Sequence, residues 1–309
     1  MLCVLHRRFF IDASLKVMRS IGLGSAALSA AALASFAWNS PPPSVSEPPS
    51  PPPEAAAEAD RAALERRVGA FIRAITQYPG LSDGDSLVRW NTPICLLVAG
   101  LNAHDAAFVS NRLSQISSSA GAPLARAPCQ RNFIVVATDE PDRVLHAWNA
   151  RDKRLFGDAT PAQVRQFLEG SESRPVRVWY NIDTGRKSGT RNGHFIPSNA
   201  RAESSAFVGN SVFNFSSIFA IIDTHRTEHT ALEQLADYVA MTGLTGVDLD
   251  ADFGNAPSIL DLFTSSAENP PPGLSRWDLA FLKALYESDQ TSRTQRLEIT
   301  ERVIHEISR

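Results

Sequence analysis

Lysine is nearly missing from this 309-residue chain: 26 of its 30 basic residues are arginine, and Lys16, Lys153, Lys187 and Lys283 are the whole set. No arginine-dense stretch replaces them, and the formal net charge is -3, so the chain carries no basic footprint for nucleic acid. Cysteine is equally scarce, at 3, which excludes a disulfide-dense miniature fold. Long apolar runs do not recur, which excludes a multi-span membrane protein. Gly-x-Ser-x-Gly does not occur, so no nucleophile elbow marks a hydrolase. No internal repeat is present. What remains is 43% hydrophobic residues in a length that buries a full core, which excludes wholesale disorder.

The first 37 residues read as a targeting segment. Arg7, Arg8, Lys16 and Arg19 stand against a single acid, Asp12, and a weakly apolar run rich in Ala, Ser and Gly follows from Ile21 to Trp38. Ser35-Phe36-Ala37 offers small residues at the -3 and -1 positions of a cleavage site. The length of the charged region makes Met18 an alternative start. Two outcomes stay open: a cleaved signal peptide over residues 1–37, or an uncleaved inner-membrane anchor over residues 21–38. Either predicts export to the periplasm or cell envelope. No Cys follows the apolar run, which argues against a lipid anchor. Cleavage takes four bases and one acid from 30 and 33, and leaves a net charge of -6. Residues 38–54 hold a Pro/Ser stretch that predicts an extended spacer. An anchored structural spacer is accordingly one functional class to weigh.

Export changes how the cysteines read. Cys3 goes with the signal, and Cys95 and Cys129 are left as an even count in an oxidising compartment. They are expected to form a disulfide; two buried thiols are the alternative, and geometry decides.

The rest, residues 55–309, reads as one globular α+β domain with interleaved elements. Helices are expected over 55–77 (Leu64, Val68, Phe71, Ile72 and Ile75 at helical spacing) and 104–119 (Phe108, Val109, Leu113, Ile116). Further helices are expected over 141–148, 161–168, 231–242, from Ser275 on, and at the C-terminus. Thr160 and Ser275 read as N-caps, with Gln163 and Asp278 three residues later. Strands are expected over 88–99, 132–137, 176–182 and 213–222, and residues 183–212 read as a long loop. Its basic stretch Arg186–His194 reads as a solvated loop, with the rim of an anion site as the minor reading.

Two local patterns suggest chemistry. His225-Arg-Thr-Glu228-His229 fits the H-x-x-E-H spacing of inverzincin proteases, in which two His bind zinc and the Glu polarises the bound water. That spacing works only on a helix, and Thr230-Ala-Leu-Glu233 reads as a capping box that starts the helix after His229. If metal binds, His225, His229 and Glu233 are the candidate ligands and Glu228 the candidate base. Asp248-Leu-Asp250-Ala-Asp252-Phe-Gly254 alternates like a calcium loop, but its Gly comes one residue late and Leu260 stands where the closing Glu belongs. A solvated acidic loop is the simpler reading.

A longer pattern runs from Leu232 to Tyr286. A helix ends at Gly243-Leu244, Ser258-Ile-Leu260 follows, and Leu274-Ser-Arg-Trp-Asp278 leads to Leu285-Tyr286. This resembles the catalytic half of a zincin or metzincin protease: a metal-binding helix ending in Gly-Leu, a Met-turn, and a closing helix. With its exported N-terminus and the Arg89-Trp-Asn-Thr-Pro93 segment, the chain resembles an uncharacterised bacterial exported family with a zincin-like layout and a degenerate metal motif. The resemblance implies that the two helical ligand positions hold Ala236 and Ala240, the general-base position Asp237, and the third ligand position Gly246. A methyl group cannot coordinate zinc. The resemblance therefore implies a fold without its metal, no cofactor, and a binding or scaffolding role toward an envelope protein or peptide. A zinc metallopeptidase built on His225, Glu228 and His229 is the alternative.

Overall fold

The computed structural model describes residues 53–76, 86–170, 174–185, 212–249, 251–253, 256–264 and 269–309. The expected signal segment, almost all of the spacer and the Arg186–His194 loop lie outside the described residues. Helix α1 (Pro53–Thr76) starts two residues inside the expected spacer.

Helices and strands alternate as the apolar periodicity predicts. β1 (Leu96–Ala99) leads to α2 (Ala103–Ala120), and β2 (Phe133–Thr138) to α3 (Pro141–Arg151). A 3-10 helix (Lys153–Phe156) and α4 (Pro161–Gly170) precede β3 (Val176–Gly185) and β4 (Val212–Asp223). α5 (Leu232–Leu244), a 3-10 helix (Ile259–Phe263), α6 (Arg276–Glu287) and α7 (Gln295–Ile307) close the chain. The fold is α+β, on a mixed four-stranded sheet of order β1-β2-β4-β3. β1, β2 and β4 run parallel, and β3 runs antiparallel to β4.

Both faces of the sheet are covered. One carries the main core: Phe133 and Val135 of β2, Val178 and Tyr180 of β3, and Phe215 and Ile218 of β4 meet the apolar faces of α1, α2, α5, α6 and α7. The other face carries Trp179, Phe219 and Ile221 against Leu145 of α3, Phe156, and Val164 and Leu168 of α4. Phe156 makes edge-on contacts there with both Trp179 and Phe219, at 5.1 and 5.5 Å.

Strict alternation cannot explain β4, whose core residues change parity between Phe215 and Ile218. The register explains it: Asn181 pairs with Ser217 but Ile182 pairs with Phe215. Ser216 is the extra residue of a bulge, and its hydroxyl donates to Asn181 O at 3.2 Å. One inserted residue reverses which side chains face the core, so Phe213 and Phe215 join Ile218, Ala220 and Ile222 in one cluster.

The expected strand over 88–99 is mostly not one. Only Leu96–Ala99 pairs with β2; before it lie isolated bridges at Arg89 and Ile94. Pro93 has no N–H to give a ladder, and Ile94 pairs instead with the loop after α2, donating to Pro123 O and accepting from Ala125 N. Cys95 and Cys129 form a disulfide with Cα atoms 6.0 Å apart, closing a 34-residue separation. In the chain-entropy treatment a link of this span stabilises by about 4 kcal/mol. Among the described residues, no helix is long and apolar enough to cross a membrane.

Candidate functional site

α5 holds two of the ligand positions that the zincin resemblance implies, and the alternative ligands His225 and His229 precede it. A helix buried on every side is a core element, and α5 is buried without a break from Leu235 to Leu244. Its start differs from expectation. The N-cap is Ala231, not Thr230, and it is Gln234, not Glu233, whose side-chain oxygen accepts from the cap N–H, at 3.1 Å. Thr230 is held in the preceding turn, where its N–H donates to Thr227 O.

As expected, His225, Glu228 and His229 lie wholly in the turn between β4 and α5. The N–H groups of His225 and Arg226 both donate to Asp223 Oδ1, at 3.0 and 3.1 Å, an Asx-type turn that sets the chain direction. His229 Nε2 lies 3.2 Å from Glu228 Oε1, with those side chains 93% and 62% exposed. Glu233 lies a turn further on, 3.4 Å from the Arg112 guanidinium. The four candidates do not converge, and no group of three or more His, Cys, Asp or Glu able to hold a metal occurs among the described residues.

The positions implied by the zincin resemblance lie elsewhere on α5. Ala236 and Ala240 are 1% and 0% exposed, and their methyls belong to the main core. Gly246 is buried just beyond the helix. Asp237 is fully buried and faces a different neighbour, the Arg112 side chain of α2. Arg112 Nε donates to one carboxylate oxygen at 2.6 Å and Nη2 to the other at 2.9 Å. Leu274 N adds a third donor at 2.8 Å. The bonds from Asp237 hold the Arg112 guanidinium above its usual range. With these three donors Asp237 ties α2, α5 and the segment before α6 together.

The other end of α5 is held by aromatic side chains. The last carbonyls of a helix have no partner within it. Tyr180 Oη donates to Thr242 O at 2.9 Å, Trp90 Nε1 to Gly243 O at 2.8 Å, and Tyr286 Oη to Leu244 O at 2.8 Å. Burial pushes the Tyr286 hydroxyl far above its normal range, so it remains a donor at any ordinary pH. Gly243 is required for a different reason: a Cβ there would lie 2.0 Å from the Phe133 ring.

Beyond α5, Ser258 caps the 3-10 helix, and its hydroxyl donates to Asp278 Oδ1 at 2.6 Å. Asp278 Oδ2 accepts from Ile259 N and Ser275 N, at 2.9 and 2.8 Å. The expected Ser275–Asp278 capping box is present, and its acid also fastens the turn before it. Burial raises the pKa of Asp278 despite these donors. Asp261 is also raised, first by burial and then by Asp278 and Asp252. Tyr238 packs edge-on against Phe263 at 4.9 Å, and burial pushes its hydroxyl up to about 12.

The residues that organise this region (Trp90, Arg112, Tyr180 and Tyr286) are not among the sequence candidates. Arg112 left one trace: it sits beside the buried stripe of Val109, Leu113 and Ile116, where a cation needs a partner. No protein-family model, curated protein or solved structure matches this chain.

Proposed function

We propose that this is an exported cell-envelope protein that binds or scaffolds, built on a degenerate metalloprotease-like fold and without catalysis of its own. One observation carries the reading. Where a protease of this layout would hold its ion, Ala236 and Ala240 pack as core methyls, and the base position is an Asp237 committed to Arg112. The order of elements supports the layout: a buried helix ending in Gly243-Leu244, a Ser258-capped turn, and a closing helix whose Asp278 binds that turn. The basic N-terminal region, the apolar run and the Ser35-Phe36-Ala37 site support export. The oxidised Cys95–Cys129 pair is compatible with it.

The test is metal content and turnover of the purified full chain. Substoichiometric zinc, unchanged in His225→Ala, and no chelator-sensitive peptide cleavage are expected. Stoichiometric zinc that disappears in His225→Ala, or hydrolysis abolished by a chelator, would replace this reading with a metallopeptidase using His225, Glu228 and His229. Intact-mass measurement of protein recovered from the periplasm tests export separately: a chain lacking residues 1–37 is expected.

A further inference from the structure

We propose that the Cys95–Cys129 disulfide is a thiol-exchange site, opened at Cys129 by a dithiol reductant, with Arg131 holding the departing Cys95 thiolate. The two sulfurs differ in surroundings. Cys95 is 2% exposed and rigidly placed: its N–H donates to Asn132 Oδ1 at 2.7 Å, and its carbonyl accepts from Asn132 N and Phe133 N. Cys129 is only partly buried, on a segment with no helix or strand between Ala125 and Asn132. An incoming thiolate therefore has access to one side of the bond.

The side it leaves behind is the one with a cation. Arg131 Nη1 donates to Cys95 Sγ at 3.5 Å and to Leu96 O at 2.6 Å, so the backbone of β1 fixes the guanidinium against the sulfur. Exchange is faster when the leaving thiol has a lower pKa, and a neighbouring guanidinium lowers it. The steps balance as follows. A thiolate of the reductant attacks Cys129 Sγ, the Sγ–Sγ bond breaks, and its electron pair departs on Cys95 Sγ beside Arg131. The second thiol of the reductant then attacks the mixed disulfide, forms the reductant's own disulfide and releases Cys129 as a thiolate. Two electrons pass from the reductant, and each protein thiolate takes a proton from solvent according to pH. Cys95, pinned at the head of β1, stays in place while Cys129 moves off with its loop, which makes the linkage reversible.

The experiment uses the full chain with free thiol blocked beforehand by iodoacetamide. Glutathione, a monothiol that stalls at the first step, is expected to be found by peptide mapping on Cys129; glutathione on Cys95 would overturn the proposal. The rate of reduction by dithiothreitol is then compared between wild type, Arg131→Gln and Arg131→Lys, each checked for folding by circular dichroism. Gln retains a donor for Leu96 O without charge, and slowing by about three- to tenfold is expected. Lys retains the charge, and a rate within about twofold of wild type is expected. An Arg131→Gln rate equal to or above wild type would overturn the role of Arg131.

Discussion

Arg112 of α2 and Asp237 of α5 meet in a two-pronged ion pair, with the carboxylate fully buried and the guanidinium about one-third exposed. The pair joins two helices, and through Leu274 N it also holds the segment that enters α6. Gln234 Nε2 adds a bond from α5 to Pro271 O at 2.6 Å in the same segment.

Removing one partner of such a pair strands the other. Arg112→Ala is expected to destabilise the fold by about 3 kcal/mol, the low end for a buried pair because Arg112 is partly solvated. The double variant Arg112→Met with Asp237→Leu is expected to lose less than either single variant, since no buried charge remains. Urea denaturation of the three variants measures this. Single losses that simply add in the double variant would show that the two side chains act independently.

Stability is expected to rise as pH falls from neutral toward the ordinary carboxylate range. Burial holds the folded-state pKa of both Asp278 and Asp261 above the ordinary 3.8. The native state therefore binds more protons than the unfolded chain between 3.8 and the raised values. The contribution is fully present below the unfolded pKa and is lost as pH rises through the folded one. Urea midpoints from pH 4 to 7.5 measure it, and the slope is expected to flatten in Asp261→Asn, the partly buried member. Asp278→Asn is expected to flatten it more and to lower stability throughout, because an amide cannot accept all three bonds at this position. An unchanged slope in both would assign the pH dependence to other groups.

Much of the fold could be read from periodicity because those signals are local. The stripe Val109, Leu113 and Ile116 marks a helix whose buried face the structure bears out, although Phe108, expected on the same face, is exposed. The alternation Val176, Val178, Tyr180, Ile182 marks the core-facing side of β3. What escaped depends on distant partners or on a single residue. Trp90 and Gly243 are separated by 153 positions, and nothing near either one announces the bond. The Ser216 bulge reverses the pattern of β4 through an insertion that no composition signal marks. At the head of α5, Thr230 was the expected cap, and the helix starts one residue later because the Gln234 side chain reaches the Ala231 N–H. For the site, the turn position of His225 and His229 followed from helix-start chemistry, whereas the partner of Asp237 did not.

The aromatic donors at the end of α5 are expected to matter individually. Tyr180→Phe leaves Thr242 O without its donor, and Tyr286→Phe does the same at Leu244 O. Tyr286→Phe also removes the acceptor of the Trp90 N–H, at 3.4 Å. Volume hardly changes in either variant, and a loss of about 1–3 kcal/mol is expected for each. Urea midpoints check this, and wild-type stability in both variants would mean that these carbonyls find water.

Gly243→Ala is expected to be far worse than an ordinary glycine-to-alanine change in a helix. Alanine favours helix by about 1 kcal/mol, but the added methyl would lie 2.0 Å from Cζ of Phe133, whose ring also stacks on Trp90 at 6.1 Å. Helix and strand must separate, and a net loss above about 2 kcal/mol is expected. Pairing it with Phe133→Leu removes the ring and is expected to recover part of that loss. Thermal melts of the single and double variants decide it.

Placing imidazoles on α5 separates a vacant metal site from a filled one. Ala236→His with Ala240→His sets two ligands one helical turn apart on a fully helical segment, the geometry that His225 and His229 lack. Both positions are essentially unexposed and lie in the main core. Two imidazoles there overfill a packed interior and bury polar nitrogens, so a loss above about 3 kcal/mol and no gain of zinc affinity are expected. Calorimetric zinc titration of the double variant, beside its urea midpoint, reads both effects. A folded variant that takes up zinc stoichiometrically would mean that the space of a metal site persists beneath the two methyls, and that the interior around α5 is looser than its burial indicates.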